Sequence, residues 1–350
     1  MNQRKLEFDK SLGFKERQGP SSLVSGYKVI DVTFSDSDEC PTFMIANINP
    51  KSDISYNLSR MQEIVQVAHQ LDAEILIFPE LCVSGYIWDA EHKTEVEKHL
   101  QESNNLQPDV KRVLDDIKAG LNNGSDRLKM VIFGNVRLDE SHGKPHLHDS
   151  TFVITPCADC NEIFYDKIFL TPLEKLFFRR GTDERLVLDT PCGRIGTMMC
   201  YDLCFVEMGK LYAFVDEVDV IITTAAWRME ATRHYPLLNI KMDNYYHFIW
   251  MLMHSALAAH NQVWSIGANC VGAIEKTVGR FCGQSGVWSP SGIPLVHASE
   301  EEEELIVIRN LEVKGHMRHQ EKEHFTYSLD FNEVYHKIRD VEPRRILIKY

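Results

Sequence analysis

EILIFPE, residues 74–80, is a short apolar run that ends in Pro-Glu, and this pattern predicts a buried strand followed by a loop. A second apolar run, TFMIANI at residues 42–48, predicts another buried strand. Between the two, residues 57–71 carry apolar side chains at helical spacing, at Leu58, Met61, Ile64, Val65 and Ala68. A strand, a helix and a strand in this order predict a βαβ-type layer.

The rest of the chain continues with strands and helices of the same kind. Further strands are predicted at residues 27–34, 129–136, 150–156, 162–167, 186–190, 194–202, 219–227, 263–272, 285–296 and 304–311. Further helices are predicted at about residues 91–119, 204–216 and 235–260. Because the strands are apolar on both sides, the sheets need cover on both faces. The pattern predicts an α/β protein with a two-layer sheet core and helices outside it.

The composition limits the classes of partner. Against 51 aspartates and glutamates there are 38 lysines and arginines, a formal net charge of −13, so we expect no nucleic-acid partner, because phosphate binding needs clustered cations. The most apolar helical stretch, residues 248–259, is shorter than the roughly 20 residues of a membrane span, so we expect no membrane partner. Nine irregularly spaced cysteines and the absence of a signal-peptide core in the polar N-terminal stretch predict a reducing, cytoplasmic setting.

Three polar residues lie where predicted buried strands end: Glu80, Lys167 and Cys200. A sheet can hold side chains rigidly at such positions. A cysteine attacks a carbonyl or nitrile carbon as the thiolate, and a buried glutamate can accept its proton. A lysine beside them can stabilise the developing oxyanion and lower the pKa of the thiol. Taken singly, each residue has a structural alternative: Cys200 as a small buried hydrophobe, Lys167 as a surface residue and Glu80 as a helix cap.

The sequence around these three residues resembles the nitrilase, or carbon–nitrogen hydrolase, superfamily. ILIFPELCVSGY around Glu80, YDKIFLTPLE around Lys167 and GRIGTMMCYDLCFVEMGKLYA around Cys200 are similar to its glutamate, lysine and cysteine motifs. The order and the approximate spacing along the chain also agree, and the similarity extends over roughly residues 40–350. The resemblance implies that Glu80 and Lys167 are the acid–base partners of Cys200, the nucleophile of a hydrolase.

The same resemblance implies a fold and a division of the chain. Members have a four-layer α-β-β-α sandwich with two packed mixed sheets, and the sandwich is extended across a dimer. We therefore expect a homodimer or a higher homo-oligomer. The carbon–nitrogen hydrolase domain is expected at residues 40–325, with an N-terminal extension at 1–39 and a C-terminal arm at 326–350.

Further site residues are also predicted. Glu174, seven residues after Lys167, fits the family's second glutamate, whose implied role is to orient the lysine and help position substrate. The alternative is a solvated loop carboxylate. Tyr86, Tyr201 and Trp227 follow the ends of their strands and are candidate substrate-binding residues, although aromatic side chains there serve equally well in packing. The backbone N–H of Tyr201 is a candidate second oxyanion donor.

The residues after the nucleophile indicate the branch of the superfamily. Cys200-Tyr201-Asp202 departs from the Cys-Trp-Glu that is usual in nitrilases and resembles amidases, most closely the omega-amidase type. That type usually carries an arginine where this chain has Cys204. We therefore expect a hydrolase that cleaves a non-peptide C–N bond of a small amide or N-carbamoyl amide through a cysteine thioester. Its products would be ammonia and a carboxylic acid.

Two alternatives stay open. The chain could be a nitrilase-type nitrile hydrolase, or a catalytically silent dimeric binding or scaffold protein of the same fold. The expected mechanism needs no cofactor, and no dinucleotide-binding or P-loop motif occurs. Cys157 and Cys160 form a C-x-x-C pair, but no second pair at zinc-site spacing accompanies them, so no metal is expected.

Overall fold

The computed structural model describes residues 21–314, except 36, 38, 87–90, 123–126, 142, 157–162, 183 and 276–278. Residues 1–20 of the predicted extension, the predicted arm at 326–350, and the pair Cys157 and Cys160 lie outside the described residues. Among the helices described, none has both the length and the apolar content that a membrane span requires.

The described residues form 18 strands and 5 α-helices. The strands are β1 (Ser21–Val24), β2 (Tyr27–Thr33), β3 (Phe43–Asn47), β4 (Ile75–Ile77), β5 (Met130–Asp139), β6 (His146–Ile154), β7 (Ile163–Asp166), β8 (Val187–Thr190), β9 (Gly193–Met199), β10 (Val220–Ala225), β11 (Arg233–Tyr235), β12 (Ile240–Met242), β13 (Trp264–Asn269), β14 (Val271–Ala273), β15 (Arg280–Cys282), β16 (Gly286–Trp288), β17 (Pro294–His297) and β18 (Glu304–Arg309). The helices are α1 (Ile54–Gln70), α2 (Lys93–Glu102), α3 (Pro108–Leu121), α4 (Val206–Lys210) and α5 (Tyr245–Asn261).

Two mixed sheets make up the centre of the molecule. The eight-stranded sheet has the order β1-β2-β18-β3-β4-β5-β6-β7, and the six-stranded sheet has the order β17-β16-β13-β10-β9-β8. β3, β4 and β5 run parallel, as do β9, β10 and β13, whereas the pairs β5–β6 and β8–β9 are antiparallel. Because parallel neighbours end at the same edge of a sheet, the residues that follow β9 and β10 lie together.

Alternating side chains of the strands pack into separate layers of the core. Phe43 and Ile45 of β3 lie in the cluster between the two sheets, whereas Met44 lies in the cluster that includes side chains of α1 and α3. On the far side of the six-stranded sheet, Trp250 of α5 is fully buried in a third cluster. The order of layers is therefore helices, sheet, sheet and helices. This confirms the predicted four-layer α-β-β-α sandwich and explains why the strands are apolar on both faces.

The helix predicted at residues 235–260 is shorter than expected. α5 begins at Tyr245, and the preceding residues form an antiparallel hairpin of β11 and β12. Pro236 lacks the N–H that a helix interior requires, and Asn239 ends the turn in the left-handed region at φ 51°. The prediction was wrong over residues 235–244, where the apolar side chains Tyr235, Leu237, Leu238 and Ile240 are exposed on a hairpin and cover no core.

Two other predicted helices are interrupted. The helix predicted at about 91–119 is two helices, α2 and α3, because Pro108 occupies the first turn of α3 and cannot continue a preceding helix. The helix predicted at 204–216 consists of α4 followed by a π-helical turn at Leu211–Val215. These breaks leave the layer order unchanged.

β1 and β2 belong to the residues predicted as an N-terminal extension. They pair with each other, and β2 pairs in parallel with β18, so both strands join the eight-stranded sheet. The division of the chain at residues 39–40 and 325–326 stays a prediction.

Candidate active site

Three segments from different parts of the chain meet in one buried site. Glu80 lies three residues after β4, Lys167 directly after β7 and Cys200 directly after β9. Lys167 Nζ donates to Glu80 Oε1 at 2.6 Å, and neither side chain is exposed to solvent. Cys200 is also buried, and the charges of both Glu80 and Lys167 act on its thiol. The structure therefore brings these three predicted residues together at the junction of the two sheets.

The ammonium group of Lys167 is surrounded by carboxylates. It donates to Glu174 Oε1 at 2.6 Å as well as to Glu80, and Asp149 Oδ2 lies 3.5 Å away. Burial acts to lower the pKa of Lys167, but the charges of Glu174 and Glu80 outweigh it and hold that pKa well above its usual value. Lys167 is therefore a fixed cation, which is the state that can stabilise an oxyanion.

Glu174 is buried, so it is not the solvated loop carboxylate of the alternative interpretation. It begins the short 3-10 helix Glu174–Leu176, and its Oε2 accepts the backbone N–H of Thr171 at 2.8 Å. This contact orients the carboxylate towards Lys167. The geometry is what a lysine-orienting role requires.

Glu80 connects the two sheets. Its second oxygen, Oε2, accepts the backbone N–H of Ala226 at 2.6 Å, directly after β10 of the six-stranded sheet. Gly134 of β5 leaves room for the backbone of Glu80, because a Cβ at residue 134 would lie 2.5 Å from Glu80 Cα. The glycine in the run KMVIFGNV therefore has a steric role that could be assigned only once its neighbour was known.

Cys200 sits in a strained turn that Asp202 holds in place. Its φ is 45°, a left-handed conformation that costs a non-glycine residue roughly 1–2 kcal/mol. Asp202 Oδ2 accepts the Met199 N–H at 3.1 Å and the Tyr165 hydroxyl at 2.7 Å, and its Oδ1 accepts the Phe169 N–H at 2.8 Å. These bonds tie the cysteine turn to the segments on either side of Lys167. Such strain is typical of positions where a side chain must be presented to a reactant.

The surroundings of Cys200 favour the neutral thiol over the thiolate. Burial raises its pKa well above the usual value, and the negative charge of Glu80 acts in the same direction, while Lys167 acts against them. Lys167 lowers the thiol pKa as expected, but burial and the charge of Glu80 outweigh its effect, so the net direction is upward. A thiol must lose its proton to act as a nucleophile, and Glu80 is a carboxylate that neighbours this thiol.

The predicted aromatic residues differ in their surroundings. Burial, and then the charges of Glu174 and Glu80, raise the pKa of Tyr86 well above its usual value. Tyr201 is half-buried, and its ring packs edge-on against Phe205. Substrate contact by either tyrosine stays a prediction.

The side chain of Trp227 packs against neighbouring segments of the fold. The indole N–H donates to the backbone oxygen of Tyr246 at 2.9 Å, and the ring lies against Trp250 with centroids 5.8 Å apart. Its backbone N–H donates to Asn269 Oδ1 at 2.7 Å, next to the Ala226 N–H that binds Glu80. These contacts favour the packing interpretation, and a direct role in substrate binding stays a prediction.

Asp149 and Asp202 are site residues that the sequence reasoning missed. Asp149 lies within β6 and is fully buried beside Lys167. A charged residue inside an apolar strand, as in HDSTFVI, was the available signal, because a buried aspartate needs a partner. The sequence indicated Asp202 only as part of the branch pattern. Its structural role was missed because hydrogen bonds to backbone groups cannot be predicted from residue types.

A metal ion has no place among these carboxylates. Oxygens of Glu80, Asp149 and Glu174 lie within 4.8 Å of one another and are a possible ligand set among the described residues. The ammonium group of Lys167 already occupies the space between them, at 2.6, 3.5 and 2.6 Å. The positive charge that this set requires is therefore supplied by the chain itself.

Comparison with known proteins places these observations in context. The family model described as Carbon-nitrogen hydrolase matches residues 45–312. A probable nitrilase of Schizosaccharomyces pombe is 24% identical over 260 residues, 73% of this chain and 82% of that protein. An (R)-stereoselective amidase of a Pseudomonas species is 25% identical over 260 residues, 74% of this chain and 81% of that protein. The crystal structure of a carbon–nitrogen hydrolase from Helicobacter pylori has a TM-score of 0.66 at 16% identity and covers 87% of this chain and 99% of its own.

Proposed function

The chain belongs to the carbon–nitrogen hydrolase family and is a hydrolase of that class, and from this premise we propose that it cleaves a small amide through a thioester at Cys200. The observation that carries the proposal is the contact of Lys167 Nζ with Glu80 at 2.6 Å beside the buried thiol of Cys200. A base, a cation and a nucleophile in one buried site are the parts that acyl transfer requires.

The first half of the proposed reaction forms the thioester. Glu80 accepts the thiol proton while Cys200 Sγ attacks the amide carbon. The negative charge that develops on the carbonyl oxygen is stabilised by the Lys167 ammonium and by the backbone N–H of Tyr201; a single donor of this kind typically contributes about 10²–10³ in rate. The C–N bond then breaks, and Glu80 gives its proton to the departing ammonia or amine.

The second half releases the acid. A water molecule loses a proton to Glu80 and attacks the thioester carbon. Lys167 stabilises the second oxyanion as it did the first. Collapse of this intermediate frees the carboxylic acid, and the proton held by Glu80 returns to Cys200. The site then has its initial protonation state, with no net gain or loss of protons by the protein.

An amide is favoured over a nitrile by the residues next to the nucleophile. The chain has Tyr201 and Asp202 where nitrilases usually carry Trp-Glu, and Asp202 uses both carboxylate oxygens to hold the turn. Named relatives include both a probable nitrilase and an amidase, so nitrile hydrolysis is the second candidate.

A substrate panel tests the proposed activity. Purified protein is incubated with small aliphatic and aromatic amides, N-carbamoyl amides and the matching nitriles, and ammonia release is measured. We expect turnover of at least one amide or N-carbamoyl compound and slower or no turnover of its nitrile. Faster turnover of the nitriles would contradict the amide assignment, and inertness towards the whole panel would favour a silent binding role.

We also propose that the protein works in a reducing compartment such as the cytoplasm. All seven cysteines in the described part of the chain are unpaired: Cys40, Cys82, Cys192, Cys200, Cys204, Cys270 and Cys282. A nucleophilic cysteine must stay reduced, and unpaired thiols persist in such compartments.

Self-association is the third part of the proposal. The β11–β12 hairpin and the outer face of α5 expose Leu237, Leu238, Ile240, Phe248 and Leu252. Exposed apolar side chains of this kind mark interaction surfaces, and we assign a second copy of this chain as the occupant because the resemblance implies a dimer.

Sedimentation velocity tests the assembly. We expect the wild-type protein to sediment as a dimer or larger oligomer, and the double substitution Leu237→Glu and Leu252→Glu to shift it towards the monomer. Leu23→Glu, at an exposed leucine on β1, is the matched control and should leave the assembly intact. A monomeric wild-type protein would contradict the assignment.

A further inference from the structure

A third carboxyl group lies in the active site, and the proposed mechanism does not use it. Asp149 is on β6, and its side chain has no exposed surface. Its backbone oxygen accepts the Lys167 N–H at 2.9 Å, so the strand pairing that places Lys167 also places Asp149. The side chain points into the cluster, where its carboxyl oxygen lies within 4.8 Å of oxygens of Glu80 and Glu174.

The three carboxyl groups receive unequal numbers of hydrogen bonds. Glu80 accepts from Lys167 Nζ and from the Ala226 N–H, both at 2.6 Å. Glu174 accepts from Lys167 Nζ at 2.6 Å and from the Thr171 N–H at 2.8 Å. Asp149 has only a 3.5 Å contact of its Oδ2 with Lys167, and its Oδ1 has no donor among the residues that the structure describes. Asp149 is therefore the carboxyl group least able to carry a charge.

The charge of the cluster leads to the same result. With Lys167 protonated and both glutamates ionised, the cluster has a net charge of −1. An ionised Asp149 would make it −2 in a site without exposed side-chain surface, and an uncompensated buried charge is costly enough that the group takes up a proton instead. A proton on Asp149 also gives its unpartnered oxygen a hydrogen to donate, and Glu80 is a neighbouring acceptor.

We infer that Asp149 is a positioning residue that stays protonated at neutral pH and donates its carboxyl proton in a hydrogen bond to Glu80, an inference that rests on the proposed role of Glu80 as the base. The bond favours the ionised form of Glu80 before the attack, when it must receive the thiol proton. Asp149 keeps its own proton throughout the cycle, so the proton balance of the proposed reaction is unchanged.

The electrostatics of the site support this state. Burial, followed by the negative charge of Glu80, raises the pKa of Asp149 well above its usual value; Lys167 acts against this, while Glu174 and a hydrogen bond with Glu80 add to it. His148, its neighbour on β6, faces away from the cluster towards Asp139 and Asp166. Among the described residues, the charged groups that set the pKa of Asp149 are therefore its neighbours Glu80, Lys167 and Glu174.

The direction of a pH shift in Asp149→Asn tests the inference. The acidic limb of the kcat/KM profile reports protonation of the base in the free enzyme. An amide N–H is a weaker donor than a carboxylic acid, so if Asp149 is protonated the substitution makes Glu80 easier to protonate. We expect the limb to move to higher pH by about one unit. If Asp149 is ionised, the substitution removes a negative charge beside Glu80, and the limb moves to lower pH.

The pH profile of kcat/KM is also measured for a control variant. Asp219→Asn is the matched control, because Asp219 is a buried aspartate at the other end of the six-stranded sheet, where it accepts the Arg194 N–H. The acidic limb of the kcat/KM profile of Asp219→Asn should coincide with that of the wild type. A limb in Asp149→Asn that moves down, or that does not move, overturns the inference.

Infrared spectroscopy of the wild-type protein provides a test that needs no variant and no substrate. Protein labelled with 13C-aspartate should show at pH 8 a carbonyl band of a protonated carboxylic acid that carries the isotope shift of aspartate. Asp202 does not interfere, because burial raises its pKa only to about 6. Absence of the band overturns the inference. An enzyme that turns over no amide but shows the band would contradict the proposed function alone.

Discussion

Replacing Cys200 by alanine is expected to abolish the proposed amide hydrolysis while the protein stays folded. Without Sγ no thioester can form, and neither Glu80 nor Lys167 can replace the sulfur as a carbon nucleophile, because both are held in an ion pair at 2.6 Å. The loss expected for removal of a nucleophile is at least about 10⁴-fold, since the remaining catalysis of comparable triads comes only from oxyanion stabilisation and binding. Ammonia release over long incubations measures the residual rate.

The fold should tolerate this change. Alanine requires the same left-handed backbone as cysteine at φ 45°, and the Asp202 hydrogen bonds that hold the turn do not involve the thiol. Circular dichroism and the melting temperature should therefore match the wild type closely. Cys204→Ala, four residues further on and half-buried, is the matched control and should keep its activity. Substantial turnover by Cys200→Ala would remove the nucleophile assignment.

Lys167→Met has the largest expected effect on stability. The substitution removes the ammonium group that lies among three buried carboxyl groups and leaves Glu80 and Glu174 without their shared donor. Breaking a buried ion pair by removing one partner typically costs about 3–5 kcal/mol. We expect a loss of this size in the free energy of unfolding at pH 7, measured by denaturant titration, together with loss of hydrolysis.

The pH dependence of this loss has a defined sign. Burial raises the pKa of Glu174 and of Asp149 in the folded protein, and removal of the lysine raises both further. Groups with a raised folded pKa stabilise the fold below their unfolded pKa of about 4, and this contribution is lost as the pH rises through the folded pKa. The difference between Lys167→Met and the wild type should therefore shrink as the pH falls from 7 towards 4.

Lys175→Met provides the matched control for this variant. Lys175 is exposed in the turn that begins at Glu174, so the same substitution there removes no buried ion pair. Its free energy of unfolding should lie within about 0.5 kcal/mol of the wild-type value. If Lys167→Met were as stable as Lys175→Met at pH 7, the buried charge cluster would not exist in solution as described.

The candidate site residues that follow buried strands could be predicted from the sequence. Glu80, Lys167 and Cys200 follow β4, β7 and β9, and short apolar runs mark where such strands end. The resemblance of the surrounding motifs to the superfamily singled these three residues out. The structure brings all three together, with Glu174 as the second carboxylate on the lysine. The layer order followed from strands that are apolar on both faces, since such sheets need cover on both sides.

The features of the site that could not be predicted from the sequence depend on contacts between distant segments. Asp149 belongs to the site because β6 pairs with β7 in a register that puts it beside Lys167, and that register cannot be read from the chain. The direction of the Cys200 pKa depends on burial and on the distance to Glu80, which composition does not contain. The helix predicted over 235–244 failed because exposed apolar residues imitate a buried helix face.

Mass spectrometry of the protein during its first turnover tests the nucleophile assignment most directly. The protein is mixed with an amide that it hydrolyses, quenched in acid within the first turnover, and analysed as intact protein and as peptides. The proposed mechanism predicts a mass increase equal to the acyl group, located on the peptide that contains Cys200 and absent from Cys200→Ala. An acyl group on another residue, or one that persists in Cys200→Ala, would contradict it.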